Sequence, residues 1–396
     1  MIELQTIKKI HFIGIGGIGV SAIARMFLLE GKEVSGSDRS KSVITDELEK
    51  LGATIYEGHA KSNVPEDCDL VVYTIAVGDD NPERGVCKNE LTYPEVLGLI
   101  SKDKFTIAVS GTHGKTTTTG MIAKIMIDAG LNPTVIVGSL LKDVKSNFVA
   151  GDSEYLVVEA CEYRRSFLNL HPTILVITNI EADHLDYYKD LDDIKSAFEE
   201  MKAKVQDGGV IITEKEYSQA PDDFQLQAPG EHNIKNAQAA YMVGKVLDIS
   251  EEDIRKSLEE FSGTWRRFDF LGKTKEGVFV YDDYAHHPDE VRATLKGFRE
   301  KYPDKKILVI FQPHLYSRTK LLLDEFAKSF SDADRIIITP IYAAREERDE
   351  SISHEMLADR IGGEVADDFD SIDIKDAEVV VVMGAGDIRK VGEDLL

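Results

Sequence analysis

Three observations on this sequence predict an α/β protein of three domains. Short β-branched runs recur with helical stretches between them, two glycine-rich turns each join a strand to a helix, and two polar seams interrupt the pattern. Continuous apolar strands alternating with amphipathic helices predict parallel sheets covered on both faces. At 396 residues the chain exceeds one ordinary core, in keeping with two or three domains.

In chain order the runs are IHFI, LVVYTIA, FTIAV, YLVVE, ILVIT, VIIT, ILVIF, RIIIT and VVVVM, with no internal repeat and no low-complexity tract. The first seam is Ser101-Lys102-Asp103-Lys104, just before a strand opens at Phe105. The second is Phe261-Ser262-Gly263-Thr264, where a helical pattern ends. The predicted domains are therefore 1–102, 103–263 and 264–396.

Hydrophobic residues make up 42% and charged residues 30%, the balance of a globular chain. The formal charge of −24 and the lack of a dense Lys/Arg cluster argue against nucleic-acid or membrane partners, while leaving room for small anions held by loops. No apolar run reaches the roughly 18–20 residues that span a bilayer. MIELQTIKKIHF lacks the apolar centre and small-residue exit of a cleavable signal. Cys68, Cys87 and Cys161 are scattered, without a CxxC pair, and read as reduced thiols. A cytoplasmic protein is expected.

HFIGIGGIGVSAIA (11–24) is the first glycine turn. Gly14, Gly16 and Gly19 fit G-x-G-x-x-G after the strand Lys9–Ile13, with Gly17 inside the motif. A tight turn and close phosphate approach both need residues without a Cβ. A second strand ends in Gly36-Ser37-Asp38, placing an acid about 20 residues on, where it can accept from a ribose hydroxyl. The pattern predicts a Rossmann-like site for a nucleotide or nucleotide-sugar; glycines that merely let helix pack on strand are the plainer reading.

VSGTHGKTTTTG (109–120) is the second turn. Gly111, Thr112, His113, Gly114, Lys115, Thr116 and Thr117 lie between the strand Phe105–Val109 and a helix, the context of a P-loop. Backbone N–H groups make an anion nest, Lys115 reaches the β- and γ-phosphates and the Thr116 hydroxyl ligates Mg²⁺. An ATP or GTP site follows. The match is shortened, since Val109 stands where the general pattern has glycine. A hydride-transfer enzyme has no use for this second loop, whereas an ATP-using enzyme acting on a nucleotide derivative needs both.

Further pieces follow strand ends, the edge where open α/β sheets bind ligands. Glu159 closes the run Tyr155–Glu159 and His184 lies in Asn179-Ile180-Glu181-Ala182-Asp183-His184. Carboxylate oxygen suits Mg²⁺ and a neutral imidazole is an acceptable partner. Asn233 and Asn236, in Gly230–Ala237, carry amides that donate and accept at once, which suits an adenine edge; Asn acting only as a helix cap is the plainer reading. Arg267 sits at the second seam, where a hinge lets a guanidinium reach a transferring phosphoryl group; its neighbour Arg266 is the alternative contact or a solvated residue. Arg318 in FQPHLYSRT (311–319) suits two-point pairing with a carboxylate, and His314 suits orienting or deprotonating an amine.

With these blocks in order, the chain resembles the Mur ligases over nearly its whole length. The resemblance rests on the two glycine blocks and on TNIEADHLDYY (178–188), GEHNIKNAQAA (230–240), TWRRFDFLG (264–272), VYDDYAHHPDEVRATL (280–295) and FQPHLYSRT. It implies an N-terminal Rossmann-like UDP-sugar domain, a central P-loop ATPase domain and a C-terminal Rossmann-like domain for the amino acid. It implies cytoplasmic peptidoglycan-precursor chemistry, in which L-alanine is joined to the lactyl carboxylate of UDP-N-acetylmuramate through an acyl phosphate made from ATP. The implied UDP-sugar contacts are Gly14, Gly16, Gly17, Gly19, Ser37 and Asp38. The implied catalytic residues are Lys115, Arg267, His314 and Arg318. Glu159 and His184 are implied to help Thr116 hold Mg²⁺, Asn233 and Asn236 to touch adenine, and Asp283 to bind the ATP ribose. Closure of the third domain over ATP and a monomer or weak homodimer are expected.

Cys161 and Arg164 stand where many Mur ligases carry acids, and 205–230 looks trimmed relative to longer members. No secure counterpart of a carbamoylated lysine is visible; Phe198 falls near that position and Lys195 is a guess. The alternatives are a sister ligase that attaches a recycled peptide to the same UDP-sugar, an NAD-dependent oxidoreductase that leaves the P-loop idle, and a nucleotide-sensing protein without turnover.

Overall fold

The computed structural model describes residues 2–144, 146–184, 187–344 and 346–396. Among them seventeen strands form three sheets, each with helices packed on it. The first holds β1 (Lys9–Ile13), β2 (Glu33–Asp38), β3 (Thr54–Glu57), β4 (Leu70–Tyr73) and β5 (Glu90–Thr92), in the order β3-β2-β1-β4-β5 and all parallel. The second holds β6 (Phe105–Ser110), β7 (Thr134–Leu141), β8 (Ser146–Val149), β9 (Tyr155–Glu159), β10 (Ile174–Ile177) and β11 (Val210–Ile212), in the order β11-β10-β6-β9-β7-β8. The third holds β12 (Asp269–Lys273), β13 (Phe279–Asp283), β14 (Ile307–Phe311), β15 (Arg335–Ile338), β16 (Glu364–Val365) and β17 (Val379–Met383), in the order β12-β13-β17-β14-β15-β16.

This is a three-domain α/β architecture, with one correction to the all-parallel expectation. The hairpin pairs β7·β8 and β12·β13 are antiparallel and each closes one edge of its sheet. A hairpin needs only a short turn, so an edge strand can reverse where a parallel crossover would need a helix.

The chain forms two compact units, Met1–Phe224 with Lys235–Phe261, and Gln225–Ile234 with Ser262–Leu396. The first unit carries two sheets because one apolar cluster serves both. Ile10, Phe12 and Phe27 around the first sheet join Ala108, Leu156, Val158, Leu175 and Phe198 of the second, all within 1% of full burial. Asn147, at the start of β8, seals the join by donating to the Ile18 carbonyl and, at 3.0 Å, to Ser21 Oγ on the helix Ile18–Leu29. In the second unit apolar residues line both faces of the third sheet, Val309 and Val381 on one side, Ile310 and Val382 on the other. That two-sided burial is why VVVVM and ILVIF read as unbroken apolar runs.

Candidate active site

Two glycine-bearing loops leave the carboxyl ends of strands in the first unit. After β1, Gly14 adopts φ +79, and a Cβ there would meet Thr74 Cγ2 at 2.7 Å. The helix Ile18–Leu29 starts directly after Gly17, so its first N–H groups face the turn. A Cβ on Gly16 would strike Asp38 Oδ2 at 2.8 Å, and one on Gly19 would strike the Tyr93 ring.

Two residues expected to face the nucleotide-sugar, Ser37 and Asp38, already have protein partners. Asp38 is taken up by backbone, accepting from Gly16 N at 2.8 Å through Oδ2 and from Arg39 N at 2.7 Å through Oδ1, so it braces the turn. Ser37 is fully buried and donates to Glu83 Oε2, facing His59 Nδ1 at 2.9 Å. It belongs to an interior network in which Glu83 also meets His11 Nε2 at 3.3 Å, Asn63 Nδ2 at 2.7 Å and Ala60 N at 3.1 Å. Burial acts to raise the Glu83 pKa, but these donors outweigh it and hold it at about 2.

The second loop follows β6, the strand flanked by β10 and β9. Gly111 (φ +132) and Gly114 (φ +81) are both places where a side chain cannot stand: a Cβ on Gly111 would lie 2.0 Å from Thr178 Oγ1, and one on Gly114 would lie 2.3 Å from Asn236 Oδ1. The loop is stitched to the segment after β10 by Thr112 N to Asn179 O (3.0 Å), His113 N to Asn179 Oδ1 (2.9 Å) and Glu181 N to Thr112 Oγ1 (2.8 Å). The helix Lys115–Asp128 begins directly after it. Strand, positive-φ glycines and helix start together give an anion nest.

Lys115 is a largely covered cation with three acceptors, the carbonyls of Gly111 and Thr112 and the Glu162 carboxylate, whose Oε2 lies 3.0 Å from Nζ. Burial acts to lower the Lys115 pKa, yet the Glu162 charge overrides it and the pKa is raised. Glu162 has 3% of its side chain exposed, and its Oε1 lies 3.6 Å from His184 Nε2. Sequence reading missed this acid. Its signal is Glu-x-x-Glu across the end of β9, which places a second carboxylate on the turn beside the lysine.

Thr116 and Glu159 stand side by side: the hydroxyl donates to Glu159 Oε2 at 2.9 Å, and Gly138 N donates to the same oxygen at 2.8 Å. A Cβ on Gly138 would sit 2.7 Å from that oxygen. The donor set suits Mg²⁺, a hydroxyl and a carboxylate oxygen side by side with space that glycine leaves open. His184, at φ +53, is drawn to Glu162 and Asp183. Leu185 and Asp186, inside the block 178–188, lie outside the described residues. Thr117 follows in the first turn of the helix. Asn236 accepts from Thr118 Oγ1 at 3.2 Å and so packs against the loop.

In the second unit Asn233 donates to the Pro229 carbonyl at 2.8 Å and is 6% exposed, so this amide holds its own helix start. Arg266 is neither a ligand contact nor solvated. Its guanidinium pairs with Asp282 (Nε to Oδ2, 2.9 Å) and donates to the carbonyls of Gly386 (2.8 Å) and Gly384 (2.6 Å), with 5% of the side chain exposed. Arg267 is the less buried member of the pair, 3.5 Å from Glu290 Oε1 and over the Tyr284 ring at 5.4 Å. Asp283, expected to face a ribose, is turned inward. It accepts from Phe268 N at 2.7 Å and Ala285 N at 2.9 Å, and its burial raises its pKa.

His286, His314 and Arg318 come together at the ends of β13 and β14. The two imidazoles stand edge to face at 5.7 Å, and Arg318 Nη1 lies 3.2 Å from His314 Nδ1. A guanidinium has no acceptor, so Nδ1 accepts and a neutral His314 carries its proton on Nε2. That leaves Nε2–H of His314 as a donor. His286 Nδ1 lies 2.9 Å from the Tyr284 carbonyl, so it donates there and leaves Nε2 as acceptor. Burial pushes the His286 pKa down to about 4. Among the described residues a three-membered His and carboxylate cluster occurs at His354, Glu355 and Asp367, apart in sequence from the expected metal ligands. No helix of the described residues is long and apolar enough to cross a membrane.

Three family models match the chain: "Mur ligase family, catalytic domain" over residues 9–104, "Mur ligase middle domain" over 109–220 and "Mur ligase, glutamate ligase domain" over 266–386. A UDP-N-acetylmuramate–L-alanine ligase of Clostridium botulinum is 41% identical, with 98% of this chain and 97% of that protein covered. One of Caldanaerobacter subterraneus is 42% identical, covering 100% and 98%. The latter alignment runs to 457 positions against 396 residues here, so the relative carries segments that this chain lacks. A crystal structure of the UDP-N-acetylmuramate–alanine ligase of Thermotoga maritima superposes with a TM-score of 0.83 at 30% identity, over 98% of both chains. A murein peptide ligase structure from Psychrobacter arcticus shares the fold, with a TM-score of 0.70 at 23% identity.

Proposed function

This chain belongs to the Mur ligase family, and from that premise we propose that it joins L-alanine to the lactyl carboxylate of UDP-N-acetylmuramate, with ATP cleaved to ADP and phosphate. The relatives that cover the whole chain at 41–42% identity carry the alanine name, which favours this reading over ligation of a recycled peptide. The observation that carries the chemistry is the loop after β6, where Lys115 and Thr116 stand beside two carboxylates at the mouth of an anion nest.

A carboxylate resists attack by an amine because its own charge repels the lone pair. Phosphorylation of the lactyl carboxylate by the γ-phosphoryl group removes that charge and creates a leaving group. The amine of L-alanine then attacks, and collapse of the tetrahedral intermediate expels phosphate and leaves an amide. In this scheme Lys115 turns from Glu162 to the β- and γ-phosphates, and the N–H groups of 111–117 hold the anion. Arg267 neutralises charge on the transferring group. Thr116 and Glu159, with His184, would hold Mg²⁺, which would supply charge neutralisation at the phosphates. The turn Gly14–Gly19 receives the UDP diphosphate. Asn236 borders the nucleotide loop and faces the base. Arg318 and the Nε2–H of His314 receive the alanine carboxylate.

The test is phosphate release from ATP with UDP-N-acetylmuramate, with and without L-alanine, beside a Lys115→Ala control. Release that needs all three substrates and vanishes in the control is expected. A preference for tripeptide over L-alanine, or release independent of the amino acid, would overturn the assignment.

A further inference from the structure

The surroundings of His314 contain a residue that the scheme above does not use. Tyr342 lies just beyond β15, has 38% of its surface exposed, and sets its ring nearly parallel to and offset from the His314 imidazole, with centroids 5.8 Å apart and planes inclined 15°. The backbones are paired as well: Leu315 N donates to Tyr342 O at 2.9 Å, and Tyr342 N donates to Pro313 O at 2.8 Å. Two hydrogen bonds and a ring stack thus clamp the short segment that carries His314.

That segment is strained. Leu315 sits at φ 71 and ψ 133, outside the wells open to a residue with a side chain, and it is the residue from which the helix Tyr316–Leu321 starts. A conformation of this kind persists only where its surroundings over-determine it, and the paired segment at 342 does so. The consequence is the placement of Arg318 one turn on, 3.2 Å from His314 Nδ1. The Tyr342 ring is itself backed by Gly386, where a Cβ would fall 2.7 Å from Tyr342 Cγ and 2.1 Å from Gln312 Oε1. A large exposed aromatic with this much local order is not surface filling.

We propose that Tyr342 is a positioning residue for the amino-acid site: it fixes His314 and Arg318 as a rigid pair of donors for the carboxylate of L-alanine. The proposal rests on the functional reading above. It predicts that loss of the ring affects binding of the amino acid and leaves the two nucleotide substrates alone, because the side chains it steadies, His314 and Arg318, are those assigned to the amino acid.

The experiment is steady-state phosphate release by Tyr342→Ala and Tyr342→Phe, with each of the three substrates varied in turn. The KM for L-alanine should rise roughly tenfold or more in Tyr342→Ala, while those for ATP and UDP-N-acetylmuramate stay within about twofold. Tyr342→Phe, which keeps the flat ring, should return the alanine KM close to that of the parent. An unchanged alanine KM in Tyr342→Ala, or an equal rise for all three substrates, overturns the proposal. Should Tyr342→Ala not fold, Tyr342→Leu keeps bulk without a ring and is read the same way. The ¹⁵N shifts of His314 give a second readout independent of turnover: Nδ1 should appear as an unprotonated acceptor in the parent and in Tyr342→Phe, and lose that signature in the ringless variants. A parent protein with no alanine-dependent release fails the functional reading itself, a result distinct from any difference among variants.

Discussion

Replacing Glu162 by alanine removes the counter-charge of the P-loop lysine and tests how that loop is held before nucleotide arrives. Both side chains are withdrawn from water, with 13% of Lys115 and 3% of Glu162 exposed, so solvent does little to screen the pair. Breaking a buried ion pair by removing one partner costs on the order of 3–5 kcal/mol. Two carbonyls still accept from Lys115 in the variant, which favours the lower figure of about 3 kcal/mol. For a unit of this size each kcal/mol moves the midpoint by about 2–4 °C, so a fall of roughly 6–12 °C is expected in the melting of the first unit. The loss should shrink when an ATP analogue is present, because phosphates return a counter-charge to the ammonium, so the analogue-induced shift should be larger in the variant than in the parent. The Lys115 pKa is raised above 10.5 in the folded state, so the stabilisation is fully present below the unfolded value and is lost only as pH rises through the folded one. Melts at neutral pH, with and without the analogue, are the assay. Equal midpoints for parent and variant, or identical analogue shifts, would refute the reasoning.

Two further outcomes are expected. Arg266→Met strands the Asp282 carboxylate, keeping only Arg389 Nη1 at 2.8 Å, and frees the carbonyls of Gly384 and Gly386; calorimetry should show the transition of the second unit lowered by about 3 kcal/mol or more with the first unit unmoved. Glu83 has its pKa depressed to about 2 from 4.5, so its stabilisation is present above the unfolded value and is lost as pH falls from there through about 2; Glu83→Gln should flatten that acid-side loss in pH-dependent melts, and an unaltered slope would count against the network.

Much of the fold was legible because its signals are local. Runs such as VVVVM and ILVIF report two-sided burial directly, and the glycines at 14, 111 and 114 report backbone that other residues resist. The antiparallel strands β8 and β12 were missed, since SNFV and DFLGK mix polar and apolar residues as edge strands do. At the site, residue types were legible where spacing and chemistry coincide, as at Lys115, Thr116 and Glu159. Side-chain direction was not. Asp38, Asp283 and Asn233 bond to neighbouring backbone rather than opening outward, and a sequence carries no mark of which way a carboxylate at a strand end turns. Glu162, Glu83 and Tyr342 escaped because their partners lie tens of residues away and are brought close only by sheet order.

The single apolar interior beneath the first two sheets bears on how the substrates are spaced. Both glycine turns are mounted on it, and Asn147 of the second sheet grips the helix that begins at the first turn. The distance between the two turns is thus set by solid packing within one side-chain cluster. Trimming Phe27 or Phe198 would loosen the seat of both turns without altering a residue in either.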